Sequence, residues 1–580
     1  MFVKNRNLAT LFKLYNLHIA YFPRHHADTC GIPSIASNGD EKKKLSLKDF
    51  MIKKQVEIGE KAHPTSSPYV PSHALRADGR KVFFETYGCQ MNVSDTEIAR
   101  AVLKNVGYEE ANNASEADVV LLVTCAIREG AEEKIWQRLE QLKLRKLTRA
   151  KTGTEHRLRI GILGCMAERL KEKILEKRPY VDLIAGPDAY RDLPRMLSVT
   201  EDRQTAINVM LSLDETYADI TPMRVDPNAV SAYVSVMRGC ENMCTYCIVP
   251  FTRGRERSRP IDSIMDEIRK LSDQGVKEVT LLGQNVNSYR DLSESIHFGT
   301  PDKSTPVSYA PGFKSVYKPK VGGRRFADLL DKVSQIDPEL RIRFTSPHPK
   351  DFPVEVLQLI RDRHNICKEI HLPAQSGNTK VLEAMGRGYS RESYLELVER
   401  IRAILPDVSL TSDFISGFCG ETEEAHEDTK SLIRLVKYSY CYTFAYSMRE
   451  KTRAHRRLVD DVPQETKIRR LNELHAVFRE TASELNESLI GSVQVVLVEK
   501  ESKRSASNLT GRCHGNTKVI FPKRIVNNRM PVKGDYVLVK IDSCSSEVLK
   551  GQPLKVTTLT EAMKDAVSDG GMLGQRVMSC

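Results

Sequence analysis

No stretch of this 580-residue chain approaches the roughly 18 consecutive apolar residues of a membrane span, so no transmembrane segment is expected. A secretory apolar core is missing as well, which removes the setting in which thirteen cysteines would pair as disulfides and turns attention to metal or redox chemistry. Residues 1–27 contain no acid at all. Leu8, Leu11, Phe12, Tyr15 and Ile19 share one helical face there, with Arg6 and Lys13 roughly opposite, the pattern of a mitochondrial transit peptide. A basic tail that stays on the mature protein is the alternative. With 40% hydrophobic and 28% charged residues, the composition is neither collagen-like nor that of a chain disordered throughout.

The length exceeds one ordinary core and predicts about three or four domains. Lys+Arg 88 against Asp+Glu 76 gives a net charge of +12, compatible with a polyanionic partner. Half of that excess sits in the first 80 residues, so it is partly a leader's property. Residues 28–79 read as a linker, with three lysines at 42–44 and a Pro/Ser-rich stretch at 64–72.

Cys89, Cys125 and Cys165 are placed alike, each after an apolar run and before a helix-like segment. The runs are 82–88, 119–124 and 159–164, and Ser94 with Glu97 reads as a capping box for the first helix. Strands alternating with helices predict a parallel sheet over 80–200, in which loops after strand ends share one edge. Three thiols 36 and 40 residues apart are therefore expected to converge. The plainer reading is three buried cysteines acting as small hydrophobes.

A compact group follows a strand-like run at 232–237: Cys240, Cys244 and Cys247, spaced C-x-x-x-C-x-x-C. Tetrahedral structural zinc needs four ligands, and no histidine or fourth cysteine lies nearby, although a distant residue could complete the set. A cubane cluster on three thiolates leaves one iron open to a small molecule. Further strand-like runs near 277–282, 341–346, 369–373, 409–415 and 441–446 alternate with helical ones, such as 261–271 between Pro260 and Gly275. Periodicity alone gives a parallel α/β fold over 226–480 with ligands at strand ends. From 486 to 557 the pattern changes to short β runs at 493–498, 518–521 and 536–541, predicting a small antiparallel barrel, with 558–580 as a tail.

The C-x-x-x-C-x-x-C spacing, with Tyr246 before the last cysteine, resembles the radical S-adenosylmethionine signature. The words at 86–92, 124–129, 164–169, 252–259, 282–287 and 371–377 narrow the resemblance to the methylthiotransferases over about 80–557. This likeness implies a partial (β/α)6 barrel as the central domain and a TRAM-like RNA-binding barrel at the C-terminal end. It implies that Cys240, Cys244 and Cys247 hold a [4Fe–4S] cluster that binds S-adenosylmethionine, and that Cys89, Cys125 and Cys165 hold a second [4Fe–4S] cluster. One molecule of cofactor then yields a radical and another a methyl group, which requires the two clusters to face each other.

The Gly88-Cys89-Gln90-Met91-Asn92 word is similar to the branch that methylthiolates isopentenyl-adenosine beside the tRNA anticodon, and no C-terminal anchor of the threonylcarbamoyl-adenosine branch is seen. A ribosomal-protein methylthiotransferase is the runner-up. The likeness is strongest to an animal mitochondrial branch, supported by 341–352 and 447–454. It implies mitochondrial tRNA as partner, the matrix as location, a ferredoxin or flavodoxin-like reductase as electron donor, and iron–sulfur assembly machinery. The likeness also suggests a reading of another class, a non-enzymatic regulator of cyclin-dependent kinase five activation that binds the kinase activator, for which no residue argues physically.

Arg253, Arg255, Arg257 and Arg259 crowd four guanidiniums beyond the second cysteine group, as candidates for phosphates or the cofactor carboxylate, or simply a solvated face. Arg512, with Lys503, Arg504, Lys523 and Arg524, is a candidate RNA contact on the last barrel. Cys419, Glu450, Lys451 and Arg453 stand where bacterial relatives tend to have Pro and Gly turn residues. Residues 290–322 form a long polar insertion, a lid, binding loop or disordered segment.

Overall fold

The computed structural model describes residues 75–77, 79–126, 129–151, 156–293, 312–313 and 322–568. The transit-peptide segment, nearly all of the linker, most of the 290–322 insertion and the last twelve residues lie outside the described residues.

Six parallel strands form the first sheet: β1 (Lys81–Thr86), β2 (Glu109–Glu110), β3 (Val119–Thr124), β4 (Arg159–Gly164), β5 (Leu183–Ala185) and β6 (Ala206–Asn208). Their order is β2-β1-β3-β4-β5-β6, so the sheet continues past residue 200. β3 and β4 are buried along their whole length because both of their faces are covered. Period two divides them: Val119, Leu121 and Val123 meet Ile98 and Leu103 of the Gln90–Asn105 helix, whereas Val120 and Leu122 meet Ile135, Leu139 and Leu142 of the Glu129–Lys151 helix. The strand order reverses between β1 and β3, where an open α/β sheet forms its ligand crevice.

The expected capping box is corrected. The first helix begins at Gln90 with Cys89 as its N-cap, so Ser94 lies inside it. Glu97 instead accepts a hydrogen bond from the Val225 backbone N–H at 3.1 Å.

The central strands are β7 (Ser231–Ser235), β8 (Glu278–Leu282), β9 (Arg341–Phe344), β10 (Glu369–His371), β11 (Ser409–Ser416) and β12 (Tyr440–Ala445). They form two parallel sheets, β9-β8-β7 and β10-β11-β12. A parallel bridge between Ile342 and Ile366 links the two into the expected six-stranded partial barrel. Ile261, Ile264, Met265, Ile268 and Leu271 make the apolar stripe of the Ile261–Asp273 helix and pack on Val234, Val279 and Leu281.

The last five strands, β13 (Val493–Ser502), β14 (Ser505–Arg512), β15 (Lys518–Pro522), β16 (Tyr536–Cys544) and β17 (Val548–Thr557), close a barrel in the order β13-β14-β15-β17-β16. The expectation of a purely antiparallel barrel is corrected at one seam, where β15 and β17 run parallel. A closed ring can alternate direction throughout only with an even number of strands, and this one has five. Within the predicted tail, Leu559–Ser568 is a helix, its first N–H groups donating to Glu339.

This barrel is fastened to the N-terminal ends of the central strands. Arg341 and Arg343 share Glu278 at 2.7 and 2.8 Å and reach past it to the backbone carbonyls of Arg512, Cys513 and His514. Burial works to raise the Glu278 carboxyl, but the Arg343 and Arg341 guanidiniums outweigh it and bring the pKa down to about 2. Tyr536 adds hydrogen bonds from its hydroxyl to the carbonyls of Lys277 and Glu339.

Candidate functional site

Cys89, Cys125 and Cys165 follow β1, β3 and β4 at one edge of the first sheet, as the alternation of strands and helices predicts. Two glycines allow the approach. Gly88 has φ +110°, and a Cβ there would lie 2.5 Å from Cys125 Cβ; Gly164 has φ +91°, and its Cβ would lie 2.8 Å from the Thr124 carbonyl. Burial pushes the Cys165 thiol up to about 12, with Arg253 opposing that shift and Cys125 and Cys89 adding to it.

The second triad starts at another obligatory glycine. A Cβ on Gly239, at φ +76°, would lie 1.9 Å from the Arg255 carbonyl. The Cys240 N–H donates to the Gly254 carbonyl at 3.2 Å, so the cysteine loop and the arginine run cross. Burial, then Glu256, Cys247 and Cys244, raises the Cys240 thiol, while burial and Cys244 push Cys247 up to about 12.

The two triads adjoin. Ile248, directly after Cys247, shares an apolar cluster with Ala126 and Cys165, and Phe251 packs against it. Arg253 reaches across: its Nε lies 3.1 Å from Cys165 Sγ, and its Nη2 lies 3.1 Å from Asn92 Oδ1 and 2.6 Å from Asp95 Oδ2. Asp95 is fully buried and also accepts from Arg238 at 2.7 Å, and the Arg238 guanidinium lies over Tyr217. Burial works to raise Asp95, but Arg253 and Arg238 hold it below the usual carboxylate range.

The rest of the arginine run departs from the expectation of a phosphate or cofactor platform. Arg257 is buried against Asp188 at 2.7 Å and Arg259 against Glu267 at 2.7 Å, so both guanidiniums are already spent on carboxylates. Arg255 is exposed. Arg512, also exposed, hydrogen-bonds Asn516 and lies 3.4 Å from Glu499 at the barrel rim.

Sequence reasoning missed Arg387. It is buried, 143 residues from Cys244, yet its Nη1 lies 3.4 Å from that sulfur and 3.4 Å from the Tyr246 hydroxyl. Its Nε donates to Tyr389 at 2.9 Å and its Nη2 to the Pro373 carbonyl at 2.9 Å. Each triad thus has one buried arginine on one of its thiols. Arg387 stands in no local pattern with the cysteine it touches, and Asp95, though six residues after Cys89, meets its partners Arg238 and Arg253 from far along the chain.

Three family models match in succession: uncharacterized protein family UPF0004 over 81–186, the radical SAM superfamily over 234–433 and the TRAM domain over 487–554. A Mus musculus protein named mitochondrial tRNA methylthiotransferase CDK5RAP1 is 61% identical over 503 residues, covering 86% of this chain and 84% of that one. The chain belongs to the radical SAM tRNA methylthiotransferases. A second member, tRNA-2-methylthio-N(6)-dimethylallyladenosine synthase of Chloroherpeton thalassium, is 48% identical over 485 residues, covering 84% of this chain and 98% of that one. The solved radical S-adenosylmethionine methyltransferase TsrM of Kitasatospora setae matches 72% of this chain and 80% of that one at 13% identity, with a TM-score of 0.44, too loose a likeness to argue from.

As a radical SAM methylthiotransferase, the protein uses S-adenosylmethionine and an iron–sulfur cluster. The donor set fits such a group: soft sulfur ligands, mutually close and withdrawn from water, whose protons a bound cation displaces.

Proposed function

We propose that this methylthiotransferase adds a methylthio group to carbon 2 of isopentenyl-adenosine beside the anticodon of mitochondrial tRNAs, in the matrix, and so supports mitochondrial translation. In this reading Cys240, Cys244 and Cys247 hold the [4Fe–4S] cluster that binds S-adenosylmethionine, and Cys89, Cys125 and Cys165 hold a second one. The observation that carries it is the bridge between the triads: Ile248 packs on Cys165, and Arg253 hydrogen-bonds the same sulfur from the loop that closes the second triad. A reaction that joins a radical made at one centre to sulfur held at another needs that adjacency.

When bound, the cluster of the second triad and S-adenosylmethionine supply the radical that removes an unreactive hydrogen. The protein's residues bind and orient. Arg387 fixes Cys244 and Tyr246 together, and the Tyr246 ring meets Phe418 edge-on with centroids 6.5 Å apart, which holds the cysteine loop against the partial barrel. Ile248 and Phe251 cover the apolar side of Cys165, which helps to exclude water where the triads adjoin. An electron donor of the ferredoxin or flavodoxin-like class and the iron–sulfur assembly machinery are the protein partners this chemistry requires.

The test is mass spectrometry of nucleosides from purified mitochondrial tRNA, in cells lacking the protein and in the same cells rescued with wild type or Cys240→Ala. Loss of 2-methylthio-isopentenyl-adenosine, restored by wild type alone, is expected. An unchanged nucleoside profile rejects the assignment.

A further inference from the structure

Beyond β12 the chain runs Arg449, Glu450, Lys451, Thr452, Arg453, Ala454, His455, Arg456, Arg457, with five Lys/Arg against one acid. The Arg453–Arg457 helix, capped by the Thr452 side chain, is tied to the second triad: the Ala454 N–H donates to the Thr245 carbonyl at 2.8 Å, and Arg453 Nη1 lies 3.5 Å from the Met243 carbonyl. The Arg456 guanidinium lies over Phe251 at 5.7 Å. Just before the helix the chain reaches the other domain, Arg449 lying 3.9 Å from Glu132 and Glu450 pairing with Lys173 at 2.8 Å. The segment therefore lies across the seam where the two triads adjoin.

The charge of its short helix is uncompensated. Arg253, Arg257 and Arg259 each hold a carboxylate, whereas among the described residues no carboxylate pairs with Arg453, Arg456 or Arg457, and the last two are exposed. The exposed Arg456 and Arg457, with the half-buried Arg453, put three guanidiniums within five residues, and their forked donors suit phosphate oxygens. An electron donor needs to approach one centre only. A nucleotide whose base must meet both centres has to enter at the seam these guanidiniums border.

We infer that Arg453, Arg456 and Arg457 form a docking surface for backbone phosphates of the anticodon arm, which hold the arm while the target base enters between the triads. This deepens the proposed function and rests on tRNA being the substrate. The full-length protein with Arg456→Gln and Arg457→Gln together is compared with wild type for binding of tRNA purified from mitochondria lacking this protein, over a salt series. Two lost phosphate contacts should weaken binding about tenfold and flatten the log–log salt slope by about 1.4. Arg361→Gln, which removes an exposed arginine paired with Asp362, should behave as wild type, and equal iron content in all proteins certifies folding.

Unchanged affinity and slope in the double variant overturn the inference. So does unchanged RNA binding with slower reduction by a ferredoxin but normal reduction by dithionite, which would make these arginines a site for an acidic protein. Wild type that binds tRNA no better than heparin would instead bring down the proposed function itself.

Discussion

The two cysteine triads reach similar surroundings by opposite routes. The second lies within eight residues, on a loop whose spacing alone brings its sulfurs together. The first is spread over 77 residues and is assembled only because β1, β3 and β4 are neighbours in one sheet. A local motif carries its geometry with it; a dispersed one borrows geometry from topology and depends on every strand that supports it.

The sharpest way to break that comparison is to remove one thiol from each. Cys89→Ala should abolish methylthiolation while reductive cleavage of S-adenosylmethionine without RNA continues, and Cys240→Ala should abolish both, read as 5′-deoxyadenosine formed under dithionite. Methylthiolation by Cys89→Ala would sink the role of the first triad. Next in size is Gly239→Ala. Its Cβ would collide with the Arg255 carbonyl at positive φ, a strain of about 3 kcal/mol, and iron analysis should show loss from the second triad. The bridging Arg253 rides on the same crossing, so some loss at the first triad should follow.

The smallest effect concerns the Gln90–Asn105 helix that follows Cys89. Burial pushes Glu97 up to about 7, and Glu267 adds to the shift against the opposing Val225 N–H, Arg224 and Arg100. The folded state thus keeps this proton while the unfolded chain has released it, so the carboxyl increasingly destabilises the fold as pH rises from about 4.5 to about 7. Glu97→Gln keeps an acceptor for Val225 and should be more stable than wild type by on the order of 2 kcal/mol at pH 8, with little difference near pH 4.5. Thermal melts at the two pH values check this. A pH-independent difference would show that the carboxyl is not what matters.

What could be read in the sequence follows the same division. The second triad was legible because chemistry and spacing coincide over a few residues, and the first because three apolar runs each ended in cysteine. Arg387 and Asp95 were not, since their partners lie far along the chain and arginine and aspartate occur everywhere. Arg257 and Arg259 misled because a run of cations looks alike whether it meets phosphates or buried carboxylates. Strand β14, reading SASNLTGR, has few β-branched or aromatic residues, and β17 contains Gly551 and Pro553, so neither announced itself. Ser94 and Glu97 matched a capping pattern, but a turn at Gly88 had already started the helix.

The fastening of the last barrel has a consequence of its own. Arg341 and Arg343 grip three successive carbonyls of its 512–514 turn, Tyr536 grips two carbonyls of the central domain, and Val230 shares an apolar cluster with Leu497 and Leu538. A module held at so many points is a fixed calliper rather than a swinging arm. An RNA gripped by that barrel, as the proposed function has it, would be held at a set distance from the cysteines, and the nucleotide that reaches them would be set by how far along the molecule it lies.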